Sequence, residues 1–249
     1  MSQFLSFTVL GIVTAAIYAV AASGLVVTYT TSGIFNFAQG AFGMAAAFLY
    51  WQLRMEWGWP AAFALVMVLM VIAPLFGALI ERVIFRGIEG TTEVIKIVVS
   101  VSLLFFVFSL VPIVWPAAGR RLPGFFDPEK VDLGDINVTW HDLITVVAAL
   151  LVAVALRAFL YRTRTGVAMR AVVDDRGLSQ LNGGRPGRAS MLAWAIGTSL
   201  AALAGILLAG SQGNLTYIPL TLLVINAYAA AMIGRLRNLP MTFLGALIL

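Results

Sequence analysis

Long uncharged apolar stretches recur along the whole of this chain, and they constrain its fold more than any other feature. Hydrophobic residues make up 61% of the 249 residues and charged residues 11%, whereas soluble domains carry about 25% charged residues. In lipid, only helix bundles and closed barrels satisfy every backbone polar group. Barrel strands would alternate in polarity over about ten residues, but the apolar runs here are continuous. The sequence therefore predicts an all-α, polytopic transmembrane helix bundle.

Seven apolar runs and the beginning of an eighth are predicted to be membrane spans. They cover residues 4–27, 35–53, 60–80, 95–114, 139–160, 191–209, 219–233 and 239–249. The first run lacks the positively charged start of a signal peptide, so we expect it to be retained. The last run is shorter than the roughly 20 residues that a span needs, which predicts a truncated final span. Residues 1–249 leave no room for a soluble domain, so a single membrane domain is expected.

Two helix starts carry capping signals. Thr139 is expected to cap the fifth span, with Asp142 three residues later. Ser190 is expected to cap the sixth.

Basic residues are distributed unevenly between the loops, and this predicts the orientation. One side of the membrane would hold most of them, namely Arg82, Arg86, Lys96, Arg157, Arg162, Arg164, Arg170, Arg176, Arg185, Arg188, Arg235 and Arg237. The other side would hold Arg54, Arg120, Arg121 and Lys130. The positive-inside rule places the larger set in the cytoplasm and the N-terminus outside. Cytoplasmic loops thus account for the net charge of +5, and no nucleic-acid partner is expected.

A basic, polar loop, residues 161–190, separates the fifth and sixth runs. A long polar loop between two spans is expected to serve as a docking site. We therefore interpret it as the cytoplasmic loop that a soluble partner binds and through which it moves the membrane-spanning helices. Asp174 and Asp175 interrupt its arginines. They could pair with a basic groove on that partner or neutralise Arg170 and Arg176, since exposed pairs are worth only about 0–1 kcal/mol. Both interpretations stay open.

Small residues recur at every fourth position of the sixth run. They are Ala193, Gly197, Ala201, Gly205 and Ala209. This spacing places them on one helix face, where small side chains let a second helix approach closely. The stripe predicts packing within a compact bundle and indicates nothing about a substrate.

Asn36 and Gln39 are polar residues at the start of the second run, in the glycine-rich segment 33–43. Because they are three positions apart on a predicted helix, their side chains should face the same way. They could line a polar substrate path through a broken helix. They could equally form interhelical hydrogen bonds, worth about 0.6 kcal/mol in lipid.

Catalytic chemistry has little support in the sequence. Cysteine is absent and His141 is the only histidine, so no metal site is expected. No phosphate-binding loop of the Gly-rich Lys-Ser/Thr type is present, so the chain is not expected to hydrolyse ATP by that route. Glu81, Arg82 and Arg86 lie at the end of the third run. They are interpreted as interfacial anchors, and Glu81 could alternatively pair with Arg82 or with another loop.

Four segments, taken together, carry a resemblance that covers essentially the whole chain. They are residues 24–40, which include GLVVTY and GIFNFAQG, residues 80–86, which read IERVIFR, residues 162–183, and residues 197–210. In this order they resemble the membrane permeases of bacterial branched-chain amino acid ABC importers, specifically the first permease of the high-affinity leucine/isoleucine/valine system. The chain departs from the family at Gln39, where a histidine is usual, and at Met241, where glycine follows the proline.

The resemblance implies a transport subunit, not an enzyme, in the bacterial plasma (inner) membrane. It implies alternating access for branched-chain amino acids or related small solutes, a second related permease, two ATP-binding cassette subunits that use the ATP, and an extracytoplasmic solute-binding protein. This chain itself would bind no cofactor. The residues implied to lie in the ATPase coupling loop are Arg164, Gly166, Arg170, Asp174, Asp175 and Gly183.

Other functions remain open on the sequence. An importer of the same superfamily for urea, an amide or a sugar would share these motifs. A passive channel would have no need of the coupling loop, and an intramembrane enzyme would need convergent catalytic groups that the sequence does not display.

Overall fold

The computed structural model describes residues 2–116, 119–126, 130–133, 136–174 and 185–249. The helices are α1 (Ser2–Ser32), α2 (Gln39–Trp51), α3 (Ala61–Met67), α4 (Ala73–Val83), α5 (Glu93–Val114), α6 (Trp140–Arg162), α7 (Arg164–Asp174), α8 (Pro186–Gln212), α9 (Tyr217–Ile233) and α10 (Leu239–Ile248). Three shorter helical segments are the π-helical turns Gln52–Glu56 and Val68–Ile72 and the 3-10 turn Phe85–Ile88. The first π-helical turn extends α2, and the second joins α3 to α4.

The predicted all-α, polytopic membrane architecture is confirmed. Within the described ranges, five helical stretches are long and apolar enough to cross a bilayer: Ser6–Ser32, Ala61–Ile88, Glu93–Val114, Trp140–Arg162 and Pro186–Gln212. Helices α9 and α10 are apolar but shorter. The protein is therefore a multi-pass membrane protein.

Helix α8 lies at the centre of the bundle. It packs against α1, α2 and α4, while α1 also contacts α6, α9 and α10. Trp194 on α8 is fully buried, and its ring stacks on Phe85 with the centroids 4.3 Å apart. Among the five long stretches, the two that contain α1 and α8 are the most buried, and both combine apolar residues with closely spaced small ones.

The predicted helix starts were right in one case and wrong in two. Thr139 caps α6, and its side chain and that of Asp142 form a reciprocal capping box. Ser190 is not a cap, because α8 already begins at Pro186, whose ring favours the first turn of a helix. Helix α2 begins at Gln39, so Asn36 precedes the helix instead of lying on it.

Short strands join the loops at one end of the bundle, in regions where the sequence predicted only loop. Strand β1 (Arg120–Arg121) pairs antiparallel with β4 (Asn214–Leu215). Strands β2 (Lys130–Leu133) and β3 (Ile136–Thr139) form a second antiparallel pair. An ion pair of 3.1 Å between Arg120 and Glu56 lies at the same end. The loops that hold Arg54 and Arg120 therefore share one end of the bundle, as the basic-residue pattern predicts.

Candidate functional site

The helical chain is interrupted between α1 and α2, and this break places two amide side chains, Asn36 and Gln39, in the bundle interior. Gly33 has a φ of +69°, a conformation that glycine adopts without steric strain. Residues 33–38 are not helical, and α2 then begins with Gln39 and Gly40 already buried. The backbone N–H of Phe37 donates to Ser100 Oγ of α5 at 2.8 Å. An irregular segment is thus held within the bundle, where non-helical backbone is tolerated because protein surrounds it.

Asn36 and Gln39 are brought together at this break. Asn36 Nδ2 donates to Gln39 Oε1 at 2.9 Å, and Gln39 Nε2 donates to the Gly197 carbonyl at 3.1 Å and the Ala21 carbonyl at 3.5 Å. Both side chains belong to residues that are 2% exposed. Asn36 Oδ1 is buried and has no hydrogen-bond partner among the described residues. Gln39 therefore links α2 to α1 and α8, whereas Asn36 retains an unused acceptor.

An aromatic cluster beside the break was missed by the sequence reasoning. Tyr29 lies 4.7 Å from Phe35, and Phe37 stacks on Tyr228 of α9 at 5.1 Å between ring centroids. The Tyr228 hydroxyl is buried without a hydrogen-bond partner in the described part of the chain. The alternation of aromatic residues around Asn36 was the available signal, but the contribution from α9 is long-range and has no local sequence signature.

The small residues of α8 lie where other helices cross it. A Cβ at Gly24 of α1 would come within 2.9 Å of the Gly197 carbonyl oxygen, and one at Gly43 of α2 within 2.8 Å of the Ala201 carbonyl oxygen. A Cβ at Gly205 would meet the Gly43 backbone at shorter range still. The neighbouring stripe residues Ala193 and Ala209, like Ala201, are almost completely buried. The stripe thus lies where α8 crosses α1 and α2.

An ion pair joins α4 to the start of α8 at the opposite end from the strands. Arg86 Nη2 lies 3.0 Å from Glu81 Oε2 and donates to the Gly187 carbonyl at 3.1 Å. Glu81 is 2% exposed and paired within the protein, as the alternative to an interfacial anchor expected, but its partner is Arg86 and not Arg82. The carboxylate is buried because Arg86, five residues later, folds back over it. Arg86 therefore ties the end of one span to the first turn of the central helix.

The predicted coupling loop contains a helix of its own, α7. Gly166 packs against the end of α6, where a Cβ would approach the backbone of Phe159 and Leu160. The Gly166 N–H donates to Thr163 Oγ1 at 3.0 Å. The exposed Arg164 begins α7 and Asp174 ends it.

Of the other residues in the predicted coupling loop, one contacts α6 and the rest lie outside the described residues. Arg170 lies over the Tyr161 ring, 4.2 Å from its centroid. Asp175, Arg176 and Gly183 fall outside the described residues.

The titratable groups do not form a catalytic constellation in the regions the structure describes, and no cluster there has three or more potential metal ligands. His141 has structural partners instead. Its Nδ1 accepts from the Phe125 N–H at 3.2 Å, and its Nε2 lies 2.9 Å from the Leu207 carbonyl oxygen. It therefore ties the start of α6 to α8.

The comparisons with known proteins identify the family of the chain. A family model described as "Branched-chain amino acid transport system / permease component" matches residues 7–249. The chain belongs to this family. As a permease component it is a membrane transport subunit and not an enzyme, and the family implies no cofactor on this chain.

Several relatives of this permease match over nearly its whole length. The high-affinity branched-chain amino acid transport system permease protein LivH of Escherichia coli is 26% identical over 250 residues, which are 96% of this chain and 81% of the relative. The corresponding protein BraD of Pseudomonas aeruginosa is 28% identical over 261 residues, covering 99% and 84%. A probable LivH of Methanocaldococcus jannaschii is 24% identical, covering 92% and 73%. No solved structure matches the chain.

Proposed function

We propose that this chain is a membrane permease subunit of a binding-protein-dependent ABC importer, acting as one permease domain over residues 1–249. The observation that carries the proposal is the family match over residues 7–249. The transported solutes are branched-chain amino acids, by analogy with the solutes in the names of LivH and BraD. The membrane is the bacterial plasma (inner) membrane.

The partners follow from the importer class. ATPase subunits and an extracytoplasmic solute-binding protein work with such permeases, and we infer two ATPases and a second related permease in the complete transporter. ATP is bound and hydrolysed by the ATPases alone. The segment 161–190 is the coupling loop, and α7 is the part of it that an ATPase grips, through Arg164 and Asp174 at its two ends together with Asp175 and Gly183. Gly166 and Arg170 set the position of α7 against α6.

Motion of α7 can be transmitted to the membrane spans through α8. Helix α8 begins twelve residues after α7 ends, and Arg86 ties its first turn to α4. At its middle, α8 contacts α1 and α2 through small residues, so a shift of α8 acts on the helices that flank the polar break. ATP-driven rotation of packed helices between two arrangements is how alternating access operates. We propose α8 as the element that transmits the rotation.

The substrate path is proposed to pass the break between α1 and α2. Asn36 Oδ1 and the Tyr228 hydroxyl are buried polar atoms that have no hydrogen-bond partner among the described residues. A carbonyl oxygen and a hydroxyl suit a solute ammonium group as hydrogen-bond partners, and the neighbouring rings of Phe35 and Phe37 suit an aliphatic side chain. Gln39 shapes this path by fixing α2, because its own amide is already bonded to α1 and α8.

Uptake by reconstituted vesicles tests the substrate. The complete transporter, with its binding protein, is supplied with labelled leucine and ATP, and unlabelled isoleucine, valine, urea, acetamide or ribose is added as competitor. We expect isoleucine and valine to compete and the other three to leave uptake unchanged. Competition by urea, acetamide or ribose, with none by valine, would assign the chain to another importer of the superfamily.

A further inference from the structure

A groove opens between α1, α6, α7 and α10 at the end of the bundle that carries most of the basic loops. Its volume is about 370 Å³. Three arginines from three different elements line it: Arg157 of α6, Arg170 of α7 and Arg237 from the segment before α10. We call it the arginine groove. By the positive-inside rule, it faces the cytoplasmic leaflet of the membrane.

Among the side chains that the structure describes, which do not include that of Asp174, no carboxylate forms an ion pair with an arginine of the groove. The ion pairs among the described side chains are Glu81–Arg86, Glu93–Lys96 and Glu56–Arg120, and none includes a groove arginine. Arg157 and Arg170 both lie over the Tyr161 ring, with their guanidinium carbons 5.6 Å and 4.2 Å from its centroid. Two cations beside one ring, with a third in the same groove, form a site with a clear preference for an anion.

The floor of the arginine groove is apolar and extends away from the charges. Leu150 and Phe243 line it, and both also line a second groove of about 130 Å³ between α1, α6 and α10. That second groove reaches Val146 on α6 and Ile12 on α1. From Val146 to Arg157 the helix rises roughly 16 Å, at about 1.5 Å per residue. The combined surface is therefore a charged end followed by an apolar track of about the length of an acyl chain.

We propose that the arginine groove binds an anionic phospholipid of the cytoplasmic leaflet. Its phosphate group lies among Arg157, Arg170 and Arg237, and one acyl chain follows α6 past Leu150 into the second groove. Basic pockets between spans on the cytoplasmic side are known to favour anionic headgroups. A bound lipid would join α7 to α6 and α10, and so would support the proposed coupling helix from the membrane side.

Native mass spectrometry of the purified transporter tests the lipid site. The assembled complex is titrated with dioleoylphosphatidylglycerol and, for comparison, with dioleoylphosphatidylcholine. We expect phosphatidylglycerol to bind more tightly, and Arg157→Gln and Arg237→Gln each to weaken its binding about fivefold, which corresponds to about 1 kcal/mol. Arg162→Gln is the matched control, because Arg162 is an exposed arginine of the same helix outside the groove. The Arg162→Gln transporter should bind phosphatidylglycerol as tightly as the wild type does.

Equal affinity for the two lipids, or unchanged binding of phosphatidylglycerol to both groove variants, would overturn the proposal. A second measurement does not depend on the arginine variants. Val154 on the groove wall is 68% exposed, and a benzoylphenylalanine placed there should cross-link to phospholipid in native membranes. A cross-link to a polypeptide instead would show that a protein helix fills the groove, and the lipid assignment would fall.

Discussion

Gln39 joins three helices through one side chain. Its amide nitrogen bonds to carbonyls of α1 and α8, and its oxygen accepts from Asn36. The sequence allowed both a polar path and interhelical hydrogen bonding for this pair. The structure shows the hydrogen bonds directly, and the unused acceptor of Asn36 leaves the path as a proposal. The related permeases are expected to place histidine at this position, and its ring N–H can replace the amide donor.

Replacement of Gln39 by leucine should destabilise the protein by about 1–2 kcal/mol. The change leaves the Asn36 amide buried without its acceptor and removes the side-chain donor to the Gly197 carbonyl, which together are more costly than the loss of one average interhelical bond. Gln39→His should recover part of the loss because it keeps a donor. Thermal unfolding in detergent measures the effect, with Gln212→Leu as the control at an exposed position of α8. A Gln39→Leu protein as stable as the wild type would contradict this account.

Some single-residue contacts could be predicted from the sequence and others could not. The Thr139–Asp142 capping box was predictable because both partners lie within four residues. The Arg86–Gly187 bond joins residues that are 101 positions apart, and no local pattern signals it. The cap at Ser190 was predicted wrongly because Pro186 and the polar residues after it extend α8 by a full turn.

At the scale of elements, the central position of α8 depends on glycine. The crossing of α2 over α8 places Gly43 against Gly205, with backbone on both sides. Backbone atoms cannot move aside as a flexible side chain can. The approach of these two helices is therefore limited by a single hydrogen atom at each glycine, and this makes the crossing sensitive to any side chain.

Gly205→Ala should destabilise the bundle by about 1–3 kcal/mol through overpacking. Gly11→Ala in α1 is the matched control, since no atom lies within 4 Å of a Cβ built there. That control should be neutral or slightly stabilising, because alanine favours helices more than glycine does. The stability of both variants is measured by the yield of folded protein and by its unfolding temperature in detergent. Equal stability of the two variants would mean that α2 and α8 do not approach as closely as described.

The link between α4 and α8 can be tested at its ion pair. Arg86→Gln should lower the free energy of unfolding by about 1–3 kcal/mol, because it leaves Glu81 buried without its ion-pair partner. This loss is smaller than that for a fully buried ion pair, since the Arg86 side chain is 39% exposed. Adding Glu81→Gln should restore at least half of the loss. Lys96→Gln breaks the pair with Glu93, whose side chain is 63% exposed, and should change the free energy of unfolding by less than about 1 kcal/mol. No recovery in the double variant would contradict the assignment.

For the whole molecule, the sequence predicted the class of fold and the approximate spans, because lipid imposes long apolar helices whatever the tertiary structure. It placed the start of the second helix at residue 35 instead of Gln39, so it did not predict the extent of the break at residues 33–38, and it did not predict helix α7. The break depends on the conformation of Gly33 and on a bond to Ser100 of another span. Helix α7 is short and polar, so no apolar run marks it. The break belongs to the proposed substrate path and α7 is the proposed coupling helix. Functional sites such as these are where local sequence patterns most often fail to predict structure.

The orientation of the whole molecule is a prediction that a chain without cysteine makes easy to test. Arg86 and Arg235 should lie in the cytoplasm and Arg120 outside, given the excess of basic residues on the first side. Single cysteines at these positions are treated in intact cells with a thiol reagent that does not cross the membrane. We expect labelling at position 120 and none at 86 or 235 until the membrane is opened. The reverse pattern would invert the orientation.

The central claim is that this chain couples ATP hydrolysis on one side of the membrane to a solute delivered on the other. The most direct measurement is the rate of ATP hydrolysis by vesicles that contain the complete transporter, with and without the leucine-loaded binding protein. We predict strong stimulation with the wild-type chain. The Asp174→Lys/Asp175→Lys variant should insert normally but lose the stimulation, because like charges would then face a basic groove on the ATPase. Full stimulation in this variant would remove these carboxylates from the coupling, and no stimulation with the wild-type chain would contradict the account itself.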